Sequence, residues 1–203
     1  MAIKDRSRLN DHYSQKARSQ GYPARSVYKL SEFDAKRRLF KPGQKVLDLG
    51  CAPGSWTLYV AEKVGPKGLV VGLDLNLPPG SFPSWVSLLA GDIFEDGLKE
   101  KVGEFFANGA HAVISDLAPK TTGARAVDQA RSLELVEAAS SWAGDLLKPD
   151  GFFLFKVFQS QMADDFIAKI KEGYKTLSRL KPQASRSQSQ EIFVLLSGFK
   201  GRV

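Results

Sequence analysis

Residues 48–56 read Asp48-Leu49-Gly50-Cys51-Ala52-Pro53-Gly54-Ser55-Trp56, and this stretch joins a predicted strand to a predicted helix. The apolar run Lys45–Leu49 indicates a short buried strand, and Ser55–Val64 has the length and apolar spacing of a helix. Glycine in such a turn lets the backbone approach a ligand, and the start of the helix offers free amide donors. The stretch therefore predicts the ligand-binding loop of an α/β domain.

Strands and helices alternate along the rest of the chain. The predicted strands are Lys45–Leu49, Leu69–Leu73, Trp85–Leu89, Ala110–Ser115, Phe152–Val157 and Ile192–Ser197. The predicted helices are Ser26–Leu39, Ser55–Val64, Glu95–Ala107, Ala126–Leu147 and Ala163–Lys171. A turn is predicted at residues 148–151, which read Lys-Pro-Asp-Gly. Alternation of this kind predicts an α/β fold with a mainly parallel sheet and helices on both faces.

The bulk composition suits one folded domain. The chain has 203 residues, of which 43% are hydrophobic, and this is enough for a single core. No apolar run approaches the ~20 residues that a membrane helix needs, and the first residues lack the apolar stretch of a secretory signal. Cys51 is the one cysteine in the sequence, which excludes an internal disulfide. We therefore expect a cytoplasmic protein.

The positive charge is concentrated near the N-terminus. Residues 1–41 hold eleven Lys/Arg and four Asp/Glu, and this difference equals the net charge of +7 of the whole chain. Residues 1–22 lack apolar periodicity and predict a mobile basic arm, followed by a folded domain over 23–203. Such an arm is either a solubilising tail or a surface for a polyanion. Aromatic rings among the cations favour RNA, because rings stack on unpaired bases; they are His12, Tyr13, Tyr22 and Tyr28.

Charged side chains recur at or just after the predicted strand ends. They are Asp48, Asp74, Asp92, Asp116 and Lys156. Ligands of open α/β sheets bind beyond the carboxyl ends of the strands, so these groups are expected along one rim. The glycine fingerprint of dinucleotide sites and the Gly-Lys-Ser/Thr of phosphate loops are both absent. Because Asp48 suits a cation, the expected ligand is S-adenosylmethionine, which is positively charged at its sulfonium and amino groups.

Asp74, Asp92 and Trp56 are candidate contacts for this cofactor. Asp74 can accept both ribose hydroxyls of an adenosine. Asp92 can accept from the adenine amino group with Ile93 against the ring, or it can cap the following turn. Trp56, in the first turn of the predicted helix, is either a core residue or a wall of the cofactor pocket. Its position directly after the glycine loop favours the pocket.

Lys156 lies within the apolar run Phe152–Phe158. A lysine in such a strand is rare without a paired acid or a function. A lysine can act as a general base when burial or a neighbouring cation lowers its pKa. The alternative is a structural ion pair between Lys156 and Asp116 at the strand end.

Six segments resemble the FtsJ/RrmJ-type (RlmE) family of ribosomal RNA large-subunit 2′-O-ribose methyltransferases in order and spacing. They are residues 26–30 (Ser-Val-Tyr-Lys-Leu), 48–56, 91–92 (Gly-Asp), 115–119 (Ser-Asp-Leu-Ala-Pro), 155–158 (Phe-Lys-Val-Phe), and Ser185-Arg186 with Glu191. The resemblance covers nearly the whole chain. It implies a Rossmann-like class I methyltransferase fold with a seven-stranded, mainly parallel sheet. It also implies S-adenosylmethionine as cofactor.

The resemblance further implies a Lys-Asp-Lys-Glu tetrad, which falls on Lys29, Asp116, Lys156 and Glu191. In this family Lys156 is expected to accept the proton of the ribose hydroxyl, with Lys29 as the neighbouring cation. Asp116 and Glu191 are expected to orient the lysines and the hydroxyl. The predicted cofactor site comprises Asp48, Gly50, Pro53, Gly54, Trp56, Asp74, Leu75, Asp92, Ile93 and Asp116.

The expected activity is methylation of one ribose 2′-oxygen in large-subunit rRNA. Bacterial relatives of this size imply a uridine in an assembled subunit as the target. We expect no metal, since the sequence has no Cys/His cluster, and a monomer. Three alternatives stay open: a tRNA ribose methyltransferase, a non-catalytic ribosome-assembly factor that binds RNA, and a nicotinamide oxidoreductase, which the missing glycine fingerprint disfavours.

Overall fold

The structure is a computed structural model that describes residues 12–180 and 190–201. Within these ranges seven strands pair into one sheet. The strands are β1 (Lys45–Leu49), β2 (Leu69–Asp74), β3 (Val86–Ala90), β4 (Ala110–Ser115), β5 (Leu147–Phe158), β6 (Tyr174–Leu180) and β7 (Glu191–Phe199).

Helices cover both faces of the sheet. They are α1 (residues 12–19), α2 (Val27–Arg37), α3 (Ser55–Val64), α4 (Leu98–Gly103), α5 (Arg125–Leu146) and α6 (Gln161–Lys171). The predicted helix Glu95–Ala107 is shorter than expected, because Gly97 adopts a left-handed φ of 75° just before α4 and a 3-10 turn, Glu104–Phe106, follows it. None of the helices in the described residues is long and apolar enough to cross a membrane.

The strand order is β3-β2-β1-β4-β5-β7-β6. β7 runs antiparallel to both of its neighbours, and the other pairings are parallel. The chain order reverses beside β1, whose neighbours are β2 and β4, and ligands bind at such a switch point. The loop after β1 therefore opens at the expected place.

Strand β6 was not predicted from the sequence. This strand reads Tyr-Lys-Thr-Leu-Ser-Arg-Leu, and only Tyr174 is fully buried. It is the edge strand of the sheet: it pairs with β7 on one side and has no strand neighbour on the other. Polar side chains are tolerated at such an edge, so the strand lacks the apolar run that marked the others. Its presence completes the seven strands that the family resemblance implies.

The predicted turn at residues 148–151 lies inside β5 as an irregularity. Ala110 pairs with Leu147, but Ala112 pairs with Phe152, so four residues of β5 bulge between these two pairs. Asp150 has a left-handed φ of 64°, as a non-glycine turn residue can. The chain therefore turns where it was predicted to, and strand pairing continues on both sides of the turn.

Two apolar clusters fill the space between the sheet and its helices. One contains residues of α4, α5 and α6, such as Val102, Trp142 and Ile167. The other contains residues of α1, α2 and α3 and includes Ala17, which is fully buried. The prediction of a mobile arm over residues 1–22 is therefore wrong for α1, which packs on the domain. Residues 1–11 lie outside the described residues.

Candidate active site

A cavity of about 330 Å³ opens at the carboxyl edge of the sheet. Its lining includes six residues of the predicted cofactor site: Gly50, Asp74, Leu75, Asp92, Ile93 and Asp116. The lining also contains residues that were not predicted from the sequence as part of this site: Leu49, Ala52, Leu73, Gly91, Leu117, Ala118 and Leu135. Leu117 and Ala118 directly follow Asp116, so the Asp-x-Ala-Pro motif itself was the available signal. Leu135 comes from α5 and carried no such signal.

Asp48, although predicted as part of the cofactor site, does not line this cavity, and it has no surface exposed to solvent. Its Oδ2 accepts a hydrogen bond from Thr57 Oγ1 at 2.7 Å. Among the described residues, its Oδ1 is a buried side-chain oxygen without a hydrogen-bond partner. Burial raises the pKa of Asp48 to about 7, and the negative charges of Asp116 and Asp74 add to the rise, while the Thr57 hydrogen bond opposes it. The fold therefore favours the neutral form of this carboxyl group.

Asp74 and Asp92 each serve a loop as well as the cavity. Asp74 Oδ2 accepts from the Ala52 amide at 3.0 Å and thereby holds the glycine loop against β2. Asp92 Oδ1 accepts from the Phe94 amide at 3.1 Å, which is the turn-capping role that was one of its two predicted interpretations. Both carboxylates still line the cavity. Capping and ligand binding are therefore compatible at Asp92.

The other predicted cofactor residues lie at the start of α3. Gly54 has a left-handed φ of 104°, and the Ala52–Pro53 peptide is cis. The Trp56 ring does not line the described cavity: it is 3% exposed, packs near Phe193, and its indole N–H donates to the Ser26 carbonyl at 2.9 Å. The expectation that this ring forms a pocket wall is thus corrected to a core position.

Lys156 and Asp116 form the inner half of the predicted tetrad. The Lys156 side chain is 5% exposed, and its Nζ lies 2.8 Å from Asp116 Oδ1. The same Nζ donates to the Asp116 carbonyl oxygen at 2.8 Å. Because Asp116 also lines the cavity, this pair connects the predicted cofactor site to the tetrad.

Lys29 and Glu191 form the outer half. Lys29 Nζ lies 3.1 Å from Glu191 Oε2, and Glu191 Oε1 lies 3.9 Å from Lys156 Nζ. Lys29 also lies over the Phe193 ring, 5.4 Å from its centroid, and Phe193 pairs with Lys156 across β5 and β7. The structure therefore brings all four tetrad residues together, from α2, β5, β7 and the position directly after β4.

A cluster of rings lies where α1 meets α2. The ring centroids of Tyr13 and Tyr28 are 5.6 Å apart, His12 lies 5.8 Å from Tyr13, and Lys16 lies over Tyr28. The fourth predicted ring, Tyr22, donates instead to Glu62 and packs against the apolar cluster under α3. Three of the four rings are thus grouped with a cation at the surface next to Lys29.

Gly50 is a position in the loop where a side chain does not fit. Its φ is 79°, and an added Cβ would lie 2.8 Å from Leu117 Cδ2 on the cavity wall. We expect Gly50→Ala to cost about 1–2 kcal/mol of stability, because of the left-handed backbone, and to weaken cofactor binding by displacing Leu117. Gly144→Ala, inside α5 with open space around the added Cβ, should instead stabilise the fold by up to ~1 kcal/mol. Urea unfolding and calorimetric titration of both variants check this prediction.

The fold and the site together define a class I methyltransferase with a Rossmann-like sheet, a glycine loop after β1 and acidic groups at the following strand ends. The family model described as FtsJ-like methyltransferase matches residues 22–199. The chain belongs to the FtsJ-like methyltransferase family.

Similar proteins cover almost the whole chain. "Ribosomal RNA large subunit methyltransferase E" of Nitratidesulfovibrio vulgaris (strain Miyazaki F) is 44% identical, over 94% of this chain and 95% of that protein. The proteins of the same name from Desulforapulum autotrophicum and Rhodopseudomonas palustris are 44% and 43% identical, over 94% and 95% of this chain and 93% and 82% of their own.

Two solved structures share the fold. A Plasmodium falciparum protein described as a candidate ribosomal RNA methyltransferase has a TM-score of 0.79 and 24% identity, over 89% of this chain and 100% of that one. Fibrillarin of Aeropyrum pernix, solved with S-adenosyl-L-methionine, has a TM-score of 0.56 and 15% identity, over 77% of this chain and 67% of that one. At these identities the likeness concerns the fold alone.

Proposed function

We propose that this protein transfers a methyl group from S-adenosylmethionine to the 2′-hydroxyl of one ribose, that of a uridine, in large-subunit rRNA in the cytoplasm. The names of its relatives support the rRNA substrate. The observation that carries the chemistry is Lys156, a buried lysine whose Nζ lies 2.8 Å from an acid on the cavity wall. A lysine in that place is suited to deprotonating a hydroxyl brought to the cavity mouth.

The carboxylates around the cavity support this cofactor. Asp74 and Asp92 line the cavity and would bind the cofactor by accepting from its hydroxyl and amino groups. Asp48, buried behind the loop that starts at Gly50, would add a negative charge when it is ionised. Leu75 is 66% exposed at the cavity rim, and Ile93 lies beside it, so both are available to cover an adenine ring. S-adenosylmethionine, when bound, supplies an electrophilic methyl group on a sulfonium.

The four tetrad residues have different proposed roles at the ribose. Lys156 accepts the 2′-hydroxyl proton at Nζ as the oxygen becomes nucleophilic. Asp116 holds that Nζ in place through both its carboxylate and its carbonyl oxygen. Glu191 holds Lys29, and the Lys29 ammonium would attract the reacting oxygen and the adjoining phosphate.

The RNA surface is proposed to extend from Lys29 along α2, and its contribution is testable by salt dependence. Arg37 and Arg38 are exposed at the end of this helix. Arg37→Ala should lower the slope of log affinity against log salt concentration by about 1 for each phosphate that the variant no longer neutralises. Lys101→Ala removes the same charge from α4, on the opposite face of the sheet, and should leave that slope unchanged. Equal slopes for wild type and Arg37→Ala would show that this end of α2 does not bind RNA phosphates.

The proposed function is tested by offering three substrates side by side. Labelled S-adenosylmethionine is incubated with the protein and large ribosomal subunits that lack their own modification, free rRNA, or tRNA. Label in the ribose of a single rRNA nucleotide supports the proposal. Transfer into tRNA alone favours the tRNA methyltransferase, and no transfer despite tight cofactor binding favours the assembly factor.

A further inference from the structure

The first turn of α5 carries a buried acid beneath an exposed segment. Residues 121–127 are all exposed, whereas Asp128 is only 8% exposed. Its Oδ1 accepts from the Thr122 amide at 2.7 Å and from Thr122 Oγ1 at 2.9 Å, and its Oδ2 accepts from the Gly123 amide at 3.1 Å. One carboxylate therefore satisfies three donors of the segment that connects Asp116 to α5.

The same helix also holds the end of β5. Ser132 Oγ accepts from the Phe158 amide at 3.0 Å, and Gln129 Nε2 donates to the Gln159 carbonyl at 2.6 Å. Both contacts lie just beyond Lys156 in the chain. The first two turns of α5 thus tie together the segment that follows Asp116 and the segment that follows Lys156.

The segment over residues 117–124 has apolar packing mainly at its start: Leu117 packs against the core, whereas residues 120–124 are all exposed. It starts at the cavity wall with Leu117 and Ala118 and continues through the exposed Lys120. An exposed segment without buried side chains depends on its hydrogen bonds for order. Arg131 Nη1 adds one long hydrogen bond, 3.5 Å, to the Lys120 carbonyl oxygen. The three shorter contacts to Asp128 are therefore the principal restraint on the exposed part of a surface that borders both the cavity and the tetrad.

We propose that Asp128 is a positioning residue: it holds residues 117–124 in the shape that receives the target nucleotide, with Lys120 directed to the RNA backbone. This proposal rests on the proposed function. The carboxylate is required because three N–H or O–H donors converge on its two oxygens, whereas an amide offers one oxygen and turns an NH₂ group toward a donor. The hydrogen bonds from Thr122 lower the pKa of Asp128, so it stays ionised throughout the pH range of an assay.

The test compares Asp128→Asn with Glu137→Gln, an exposed acid on the same helix. For Asp128→Asn we expect kcat/KM for large subunits to fall about 10- to 100-fold, while the Kd for S-adenosylmethionine changes less than about 2-fold. Trypsin should also cleave faster after Lys120 and Arg125. Glu137→Gln should match wild type in all three measurements. Thr122→Val, a change at an exposed residue that does not endanger folding, should show the same pattern with a smaller effect.

Two outcomes overturn the positioning role. The first is equal kcat/KM for Asp128→Asn, Thr122→Val and Glu137→Gln while wild type is active. The second is a parallel loss of cofactor affinity and substrate turnover, since that marks a general effect on the fold. Absence of methyl transfer by wild type overturns the proposed function itself and the substrate role of the segment with it. The trypsin cleavage separates these cases, because it reports on the Asp128 contacts independently of activity.

Discussion

Lys156→Ala should lower kcat for methyl transfer by about 10²–10⁴-fold, the range that a general base contributes. The side chain is 5% exposed, and its Nζ is the group of the tetrad held directly by Asp116. Binding of S-adenosylmethionine should persist, because Lys156 does not line the described cavity. Single-turnover transfer from labelled cofactor, with a calorimetric Kd measured in parallel, separates the chemical step from binding.

Two further lysine variants sharpen this result. Lys156→Arg keeps the positive charge beside Asp116, but a guanidinium does not lose its proton in proteins, so activity should stay low. Lys29→Ala removes the outer lysine and should cost less than Lys156→Ala, since Lys29 acts by orienting and by attracting phosphate. If Lys156→Arg retains most of the activity, or if Lys29→Ala is the more damaging change, the base is not Lys156.

The ionisation of Asp48 should make both stability and cofactor binding depend on pH. Its pKa is raised from 3.8 to about 7, so the fold favours the neutral carboxyl. The contribution to stability is fully present below the unfolded pKa and is lost as the pH rises toward the folded one. Between pH 5 and pH 8 wild type should lose on the order of 3 kcal/mol from this group, at ~1.4 kcal/mol per pH unit up to pH 7.

Asp48→Asn supplies the matched comparison for this group. It keeps the shape and an oxygen for the Thr57 hydroxyl but cannot ionise, so its unfolding free energy should fall less between pH 5 and pH 8. Urea unfolding at several pH values measures this difference. Parallel pH curves for wild type and Asp48→Asn would show that Asp48 does not titrate in this range.

Cofactor affinity should change with pH in the opposite direction to stability. The ionised carboxylate attracts a cationic ligand, so the Kd of wild type for S-adenosylmethionine should improve about tenfold from pH 6 to pH 8. The Asp48→Asn variant should bind more weakly at pH 8 and show a flatter profile. An equally steep profile in both proteins would assign the effect to another group.

The rim of the site was predictable from the sequence because parallel strands end at a common edge. Asp74, Asp92 and Asp116 each follow an apolar run, and that position alone indicated that they would converge. Lys156 could be predicted as a functional residue because it is a charged side chain within an apolar strand. Lys29 and Glu191 lie 162 residues apart in the sequence, and their pairing in the structure was expected only from the family resemblance.

The features that could not be predicted from local sequence patterns are those that depend on tertiary contacts. The edge strand β6 is polar, so it has no apolar signature. The Trp56 ring turned to the core because the Ser26 carbonyl and Phe193 are available there. Asp128 was not singled out from the sequence, because its three hydrogen-bond donors meet it only when the preceding segment folds over it. The loop at Ser185–Gln190, which carries part of the resemblance, falls outside the described residues except for Gln190.

The reversed direction of β7 affects how insertions and deletions can accumulate in this protein. Glu191 opens the strand opposite Phe158, and side chains alternate between faces with a period of two. Gain or loss of a single residue within Glu191–Phe199 would therefore turn either the acid away from the two lysines or the buried side chains of the strand to the opposite, differently packed face of the sheet. Length changes before Gln190 leave that register untouched. Homologous chains should accordingly differ in length ahead of the acid and keep a constant count after it.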